Sequence, residues 1–297
     1  MSLQELAGIR AALAATAREG QSFEEVRILY EQIAPPVDPD DGTSLEAFEI
    51  GGMKAEYSVP KGADATAAIL YFHGGGYCLG SLNTHRRLAR SLAQAAGVAV
   101  LAIDYRLAPE APFPAAIEDA LAGYRHLLGR GIEPKRIAFA GDSAGGGLTM
   151  AGMLAAKNEH LPLPGAGFCI LPWVDLANGL PSMALKAAED PMISKTRLDD
   201  FTKAYLGERS PADPLASPLH GDLLGLPPIL IQVGSAECLL DDSVQLARNL
   251  GLAGVDARLE IWPDMIHVWH FFAPMLSEGR DAIAVAGRWL GEKLRGA

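Results

Sequence analysis

The stretch that decides the fold is Arg136-Ile137-Ala138-Phe139-Ala140-Gly141-Asp142-Ser143-Ala144-Gly145. Its apolar first half predicts a buried strand, and the small residues that continue to Lys157 predict a helix. A serine at a strand-to-helix turn, with a glycine two positions away on each side, is the pattern of a nucleophile elbow, whose crowded backbone tolerates only small flanking residues. Ordinary turns also show this pattern, so the identification of Ser143 as a nucleophile requires further motifs elsewhere in the chain.

Apolar runs alternate with helical patterns along most of the chain. The runs that predict strands are 67–72, 98–103, 136–140, 168–171, 229–233 and 257–262. The patterns that predict helices between them are 83–96, 115–128, 144–157 and 239–252. Before them, two short strand-like runs within 45–59 flank Gly51-Gly52, which is a hairpin signal. The alternation predicts an α/β fold with a mostly parallel sheet, helices on both faces, and ligands at the carboxyl ends of the strands.

Two segments stand outside this alternation. Residues 1–36 carry a helical pattern in two parts, the second of which starts at Ser22 before two glutamates, as a helix start does. Residues 176–226 contain several prolines and no convincing core strand, and an insertion of that length is usually functional or disordered. Its periodic residues, which predict a helix folded over the sheet, are Leu198, Phe201, Tyr205 and Leu206. Two interpretations fit the amino-terminal helices equally well: a lid over the site, or a pair of helices that packs on the domain for stability alone.

The amino-acid composition of the chain limits the classes of function that it can have. The 297 residues are 49% hydrophobic and 21% charged, with a formal net charge of −11; this fits a soluble globular protein and disfavours nucleic acid as a partner. We see no secretory signal and no apolar run long enough for a membrane span, so the sequence predicts a cytoplasmic protein. The cysteines Cys78, Cys169 and Cys238 lack metal-ligand spacing, which predicts reduced, buried thiols and no metal site.

A second glycine motif, His73-Gly74-Gly75-Gly76-Tyr77, directly follows the predicted strand 67–72. Three glycines in a row leave backbone N–H groups unobstructed, so these groups can point at a developing oxyanion. An HGGG loop at a strand end is the arrangement of an esterase oxyanion loop. Together with the turn at Ser143, in the expected order along the chain, the motif predicts serine-dependent acyl transfer.

The base and the acid of a triad should follow Ser143 in the order acid, then histidine. His267 lies in the loop after the last predicted strand, whereas His270 fits the start of the next helix, as a histidine on an amphipathic surface. We therefore predict that His267 is the base. The loop after strand 229–233 offers three carboxylates, and its first position favours Glu237 as the acid over Asp241 and Asp242, which fall near a helix start.

Three motifs in order carry a resemblance to a known family. They are His73-Gly74-Gly75-Gly76, Asp104-Tyr105-Arg106-Leu107-Ala108-Pro109-Glu110 and Gly141-Asp142-Ser143-Ala144-Gly145-Gly146. From about residue 67 to the last loop, the chain resembles the hormone-sensitive-lipase-like family of microbial esterases. The resemblance implies an α/β-hydrolase fold, with residues 1–45 as an amino-terminal helical cap segment. Residues 46–297 would be the catalytic domain, with a second part of the cap inserted at about 176–226.

The same resemblance implies roles for individual residues. The oxyanion hole would be the backbone of Gly75, Gly76 and Ala144, with His73 as a brace of the glycine loop and Asp142 as a support beside the nucleophile. The Asp104–Glu110 motif would be a structural turn that buttresses the site. The acid of the family is most often aspartate in a DPLxD pattern, whereas the matching stretch here is Glu237-Cys238-Leu239-Leu240-Asp241. Glu237 takes the catalytic position of that pattern, with Asp241 as the alternative.

The sequence thus predicts a carboxylic ester hydrolase that works through a Ser143–His267–Glu237 triad and an acyl-enzyme, without metal or organic cofactor. The resemblance implies small-molecule esters with short or medium acyl chains, and a homodimer formed at a sheet edge is among its expectations. Candidate pocket walls are Tyr77, Trp173, Phe201 and Tyr205. Two alternatives stay open: a non-catalytic small-ligand receptor of the same fold, and a lactonase or amidase that uses the same triad.

Overall fold

The structure, a computed structural model, describes residues 3–16, 21–32, 34, 36, 37 and 41–296. One eight-stranded sheet runs through its centre, in the order β1-β2-β4-β3-β5-β6-β7-β8. The strands are β1 Thr43–Ile50, β2 Met53–Pro60, β3 Asp64–Phe72, β4 Val98–Ile103, β5 Ile137–Asp142, β6 Ala166–Ile170, β7 Ile229–Gly234 and β8 Ala257–Trp262. Strand β2 is antiparallel to both of its neighbours, and all other pairs are parallel. The predicted mostly parallel sheet is confirmed.

Helices cover both faces of the sheet. They are α1 Leu3–Thr16, α2 Phe23–Gln32, α3 Leu82–Ala96, α4 Ala115–Gly129, α5 Ala144–Asn158, α6 Ser182–Leu185, α7 Lys195–Leu206, α8 Leu240–Leu252 and α9 Ser277–Arg295. Short 3₁₀ helices lie at Pro134–Arg136, Pro218–His220 and Trp269–Phe272. Alternate residues of β3 enter two separate cores: Leu70 packs in the core of α4, α5 and α8, and Ile69 in the core of α3 and α9. This period of two is what a strand buried on both faces requires.

The predicted strands and helices agree with the observed ones, with differences at their ends. Strand β5 extends two residues beyond the predicted 136–140, to Asp142, so Ser143 follows the strand directly. Strand β6 ends at Ile170 because Leu171 has a left-handed φ of 46°. The hairpin predicted around Gly51-Gly52 joins β1 to β2, and both glycines have the positive φ that such a turn needs.

Both segments predicted as a cap contain helices, although part of the described chain in each is not helical. Helix α2 starts as a capping box, since the Ser22 side chain accepts from the Glu25 N–H and the Glu25 carboxylate accepts from the Ser22 N–H at 2.8 Å. The insertion contains α6 and α7, and all four periodic residues named above are buried in α7. Strand β1 begins at Thr43, so its first three residues lie inside the segment 1–45. Residues 1–2, 17–20, 33, 35 and 38–40 of that segment lie outside the described residues.

A buried carboxylate ties helix α8 to the chain that leaves β6. The Asp242 side chain is 2% exposed, and its Oδ1 accepts the backbone N–H groups of Val174 and Asp175 at 3.0 and 3.1 Å. Burial raises the pKa of Asp242 to about 8, the carboxylates of Asp175 and Glu237 add to the shift, and the two N–H donors oppose it. The folded protein therefore holds a proton that the unfolded chain releases from a group with an ordinary pKa of 3.8.

We expect Asp242→Asn to stabilise the protein at high pH and to leave its stability at pH 4 nearly unchanged. Asparagine keeps the Oδ1 acceptor but has no proton to hold, whereas the folding of the wild-type protein becomes less favourable as pH rises from about 4 to about 8. Urea unfolding across this range measures the difference in the free energy of unfolding. Asp200→Asn, at an exposed position on α7, is the control; a difference for Asp242→Asn that is independent of pH would contradict the raised pKa.

Candidate active site

Ser143 stands at a sharp turn between β5 and α5. Its φ is 55° and its ψ is −118°, an unfavourable combination for a residue with a side chain. A Cβ added at Gly145 would clash with the carbonyl oxygen of Phe72, and one added at Gly141 would clash with the carbonyl oxygen of Gly145. Only glycine allows the turn to approach the end of β3 this closely, which explains both glycines of the predicted elbow.

The glycine loop after β3 lies beside this turn. Gly75 and Gly76 have φ values of 117° and 61°, which favour glycine. The ring of Phe201 from α7 lies directly on Gly76, so that no Cβ would fit there. Within the described part of the chain, no hydrogen bond is donated by the backbone N–H of Gly75, Gly76 or Ala144. These three N–H groups therefore have no backbone acceptor among the described residues.

Asp142 holds the glycine loop against the elbow. Its Oδ1 accepts the Tyr71 hydroxyl at 2.6 Å and the Gly74 backbone N–H at 3.1 Å, and its Oδ2 lies 3.3 Å from Nε2 of His85. Burial opposes ionisation of Asp142, but His85, Tyr71 and the nearby His73 outweigh it and lower the pKa of the carboxyl. The carboxylate before the serine therefore fixes the first peptide of the glycine loop.

His73 also braces the loop. Its Nδ1 lies 2.8 Å from the Gly74 carbonyl oxygen, and its ring stacks on Tyr105 with a centroid distance of 4.2 Å. The Tyr105 hydroxyl donates to the His73 carbonyl oxygen at 2.8 Å. Burial lowers the pKa of His73 to about 3, and the neighbouring His85 adds to this effect. A neutral imidazole in this place holds the shape of the loop, and the Asp104–Glu110 motif supplies the ring on which it stacks.

A histidine and a carboxylate meet at the carboxyl ends of β7 and β8. Nδ1 of His267 lies 2.8 Å from Oε2 of Glu237, whose Oε1 accepts the Gly234 N–H at 2.7 Å. Both side chains are buried. Burial opposes a charge on the imidazole, but the hydrogen bond and negative charge of Glu237 outweigh it and raise the pKa of His267. With Nδ1 bonded to the carboxylate, Nε2 is the nitrogen left to exchange a proton.

The other candidates for acid and base lie elsewhere. Asp241 accepts the backbone N–H of Ser182 at 2.7 Å, and Asp242 bonds to the chain after β6, so neither carboxylate bonds to His267 in the described structure. His270 stands near the start of a helix as expected, but the expectation of a surface position was wrong. It lies buried in the 3₁₀ helix Trp269–Phe272, with Nε2 2.8 Å from Oε1 of Gln232. Because its side chain packs in the core, His270 does not lie on the surface of an amphipathic helix.

Ser143 and His267 face one cavity of about 230 Å³, which also reaches Gly75 and Gly76. Helices α1 and α2 supply apolar walls on one side, among them Leu13, Val26 and Leu29. The insertion supplies the other walls, among them Met192, Ile193 and Phe201. Both segments predicted as cap therefore line the space above the serine.

Only one of the four aromatic residues predicted as pocket walls lines this cavity. That residue is Phe201. Tyr77 and Tyr205 stack face to face in the core with a centroid distance of 4.0 Å, and the buried Trp173 donates its Nε1–H to Asn178 at 2.9 Å. The prediction that these three residues are pocket walls is wrong for this cavity, because their rings are buried in the core and are not among the residues that line it.

The polar contacts that join helices α1 and α2 to loops far away in the chain were not predicted from the sequence. Arg27 of α2 donates to the carbonyl oxygens of Cys78 and Ala108 at 2.7 and 2.8 Å and forms two bonds with the Glu110 carboxylate. Arg10 of α1 donates to the carbonyl oxygens of Glu189 at 2.6 Å and Asp264 at 3.3 Å. Neither arginine stands in a motif, so nothing in the sequence marks it.

Two kinds of feature are absent from the part of the chain that the structure describes. Its His, Cys, Asp and Glu side chains form no group of three or more that could hold a metal ion. Of the helices described, none is both long and apolar enough to cross a membrane.

Comparison with known proteins gives consistent matches. A family model for the alpha/beta hydrolase fold matches residues 69–271. An acetyl-hydrolase of Streptomyces hygroscopicus is 48% identical over 245 residues, 82% of either chain, and an esterase of Acinetobacter venetianus is 35% identical over 260 residues, 87% of this chain and 86% of the relative. A solved esterase of the bacterial hormone-sensitive lipase family has a TM-score of 0.95 at 44% identity, covering 99% of each chain.

We expect Gly145→Ala to destabilise the protein by about 3 kcal/mol, because the added methyl group meets backbone that cannot move without breaking the elbow. Gly152→Ala on the same helix is the matched control. Its methyl group would make ordinary contact with Phe139 at 3.4 Å, and alanine favours a helix by up to about 1 kcal/mol. Urea unfolding of both variants measures the difference. Equal stabilities of the two variants would show that the close approach at Gly145 does not constrain the turn.

Proposed function

Because the chain belongs to the hormone-sensitive-lipase-like family of α/β-hydrolases and is a serine carboxylesterase, we propose that Ser143, His267 and Glu237 are its catalytic triad. The family membership confirms the resemblance that the three motifs indicate. The observation that carries the proposal is the 2.8 Å hydrogen bond between His267 and Glu237 at the cavity that Ser143 lines. The nucleophile, the acid and the base follow one another in that order along the chain, as this fold requires.

In the proposed reaction, the Ser143 hydroxyl attacks the carbonyl carbon of the ester, and its proton passes to Nε2 of His267. The tetrahedral intermediate then releases the alcohol, which takes that proton and leaves an acyl group on Ser143. Water attacks the acyl-enzyme, again giving a proton to His267, and the carboxylic acid and free serine result. Glu237 keeps the proton of Nδ1 in place and stabilises the imidazolium that forms twice in each cycle.

The negative oxygen of each tetrahedral intermediate needs donors that are already in position. We propose that the N–H groups of Gly75, Gly76 and Ala144 are these donors. The support for this role is that no described group accepts from them, and that Asp142 and His73 fix the loop from below. Donors held in this way lose little freedom when charge develops, which is why such a hole lowers the barrier more than a flexible donor would.

For the substrate, we propose esters with short to medium acyl chains. A cavity of about 230 Å³ lies below the range of about 300–1,000 Å³ that is usual for drug-sized ligands. Its walls are mainly apolar, and the relative from Streptomyces hygroscopicus is named an acetyl-hydrolase. Lactones and amides require the same triad chemistry, so they belong in the substrate panel beside simple esters.

We also propose that residues 1–45 and about 176–226 act together as the cap. Both segments contribute walls to the cavity, and Phe201 of the insertion stacks on Phe23 of α2 with a centroid distance of 5.7 Å. Substrate would then be enclosed between two segments that are far apart in sequence, and the shape of the pocket would depend on their contact.

We expect Glu237→Ala to lower kcat for p-nitrophenyl butyrate by about 10⁴-fold, because the imidazole loses the group that fixes its tautomer. Asp241→Ala, four residues further on in the first turn of α8, is the matched control, with an expected loss of less than about tenfold. Ser143→Ala should lower kcat by about 10⁶-fold and so defines the background. The opposite ranking of the two acid variants would contradict Glu237 as the acid, and full turnover by Ser143→Ala would contradict the triad as a whole.

We expect kcat/KM to be highest for acetyl and butyryl esters and to fall steeply for decanoyl esters in a p-nitrophenyl series. Phe201→Ala should raise the ratio of octanoyl to butyryl activity, because it opens the wall above Gly76. Phe48→Ala removes an aromatic ring that stacks on His126 on the outer strand β1, away from the cavity, and should leave this ratio unchanged. A wild-type preference for long acyl chains would contradict the proposed substrate class.

A further inference from the structure

Cys238, the residue directly after Glu237, is hydrogen-bonded to the insertion through every polar group it has. Its backbone N–H donates to Oδ2 of Asp190 at 2.9 Å, and its carbonyl oxygen accepts from the Ser182 hydroxyl at 2.6 Å. Its thiol donates to the carbonyl oxygen of Ile193 at 3.5 Å. The loop that carries the acid is therefore held by the insertion, not only by the strand before it.

Asp190 has a second set of contacts on the side of the cavity. Its Oδ1 accepts the backbone N–H groups of Met192 and Ile193, both at 2.9 Å, and both of these residues line the cavity. The Asp190 side chain is 8% exposed. One buried carboxylate thus binds the cavity wall with one oxygen and the backbone next to Glu237 with the other.

The bond from Cys238 depends on a feature in which this chain departs from the DPLxD pattern. Proline takes this position in that pattern, and proline has no N–H to donate. Glutamate at 237 also has one more rotatable bond than aspartate, so its carboxylate is positioned less firmly by its own backbone. A donor at position 238 compensates by fixing that backbone from outside.

We propose that Asp190 is a positioning residue for ester hydrolysis, which holds Glu237 in place through the backbone of Cys238 and couples the cavity wall to the acid. This inference rests on the proposed triad. It assigns Asp190 no contact with substrate: its effect on the reaction passes through Glu237 and through the charge that it places near the imidazole.

Several charged or titratable groups face His267, and Asp190 is one of them. Burial lowers the pKa of the imidazole, but the carboxylates of Glu237, Asp190 and Asp142 outweigh burial and raise it. The imidazole of His270 lies near enough to interact as well, and burial holds its pKa at about 3, so that it is neutral. Removal of the charge of Asp190 should therefore lower the pKa of His267, while the other three groups stay in place.

The test is a double-mutant cycle that combines Asp190→Asn with Glu237→Ala, with kcat and kcat/KM for p-nitrophenyl butyrate measured across pH. We expect Asp190→Asn alone to lower kcat about tenfold and to move the acid limb of the pH profile to lower pH. In the Glu237→Ala background, the same substitution should change kcat less than about twofold, since residues that act as a unit are not additive. An equal factor in both backgrounds, with an unmoved acid limb, would overturn the proposal.

Two further variants complete the experiment. Asp213→Asn is the matched control, because Asp213 is in the same insertion and accepts the backbone N–H of Leu215 at 2.9 Å but makes no described contact with the acid loop. Cys238→Pro removes the N–H and keeps the charge of Asp190, so it should lower kcat without moving the acid limb; wild-type kcat in this variant would also overturn the proposal. If Glu237→Ala itself retains wild-type activity, the triad fails instead, and the two failures are distinguishable.

Discussion

The structure depends on one close approach, in which the backbone around Ser143 packs against the carbonyl oxygens at the end of β3. This contact excludes any Cβ at Gly145. It brings the start of α5 and the glycine loop to the same edge of the sheet, so Ser143 and the proposed N–H donors lie close together without a long side chain from either segment. Because the contact is between backbones, the turn has little room to relax, and Ser143 keeps its strained φ of 55°.

Other polar contacts hold the loops around Ser143, Gly75 and Glu237. Asp142 joins the elbow to the glycine loop, Arg27 joins α2 to Cys78 and Glu110, and Asp190 joins the insertion to the backbone beside Glu237. Each is a carboxylate or guanidinium that bonds to backbone groups, which fixes loops more firmly than side-chain packing alone. The two segments of the proposed cap therefore line the cavity and also form hydrogen bonds with the loops that contain Cys78 and Glu237.

The sheet and most helices could be predicted because the spacing of apolar residues along a short segment indicates a strand or a helix. The pairing of His267 with Glu237 could be predicted because each residue lies in the loop that directly follows a predicted strand. The two glycine motifs could be recognised from their spacing alone, although the atoms that exclude a Cβ at Gly76 and Gly145 belong to Phe201 and Phe72, far away in the chain. Arg27, His85 and Asp190 could not be found in this way, since each bonds to groups that are far away in the chain. Tyr77, Trp173 and Tyr205 were misplaced for a related reason: residue type indicates that a ring is buried, but not whether it lies at the cavity or beneath it.

The central claim is that Ser143 carries the acyl group during turnover. The most direct measurement mixes the protein rapidly with p-nitrophenyl acetate, quenches the mixture in acid within the first turnovers, and locates the added acyl mass by peptide mass spectrometry. We expect one acetyl group on the peptide that contains Ser143, attached to the Ser143 hydroxyl. An acetyl group on another residue, or p-nitrophenol release with no acylated peptide at any quench time, would contradict the claim.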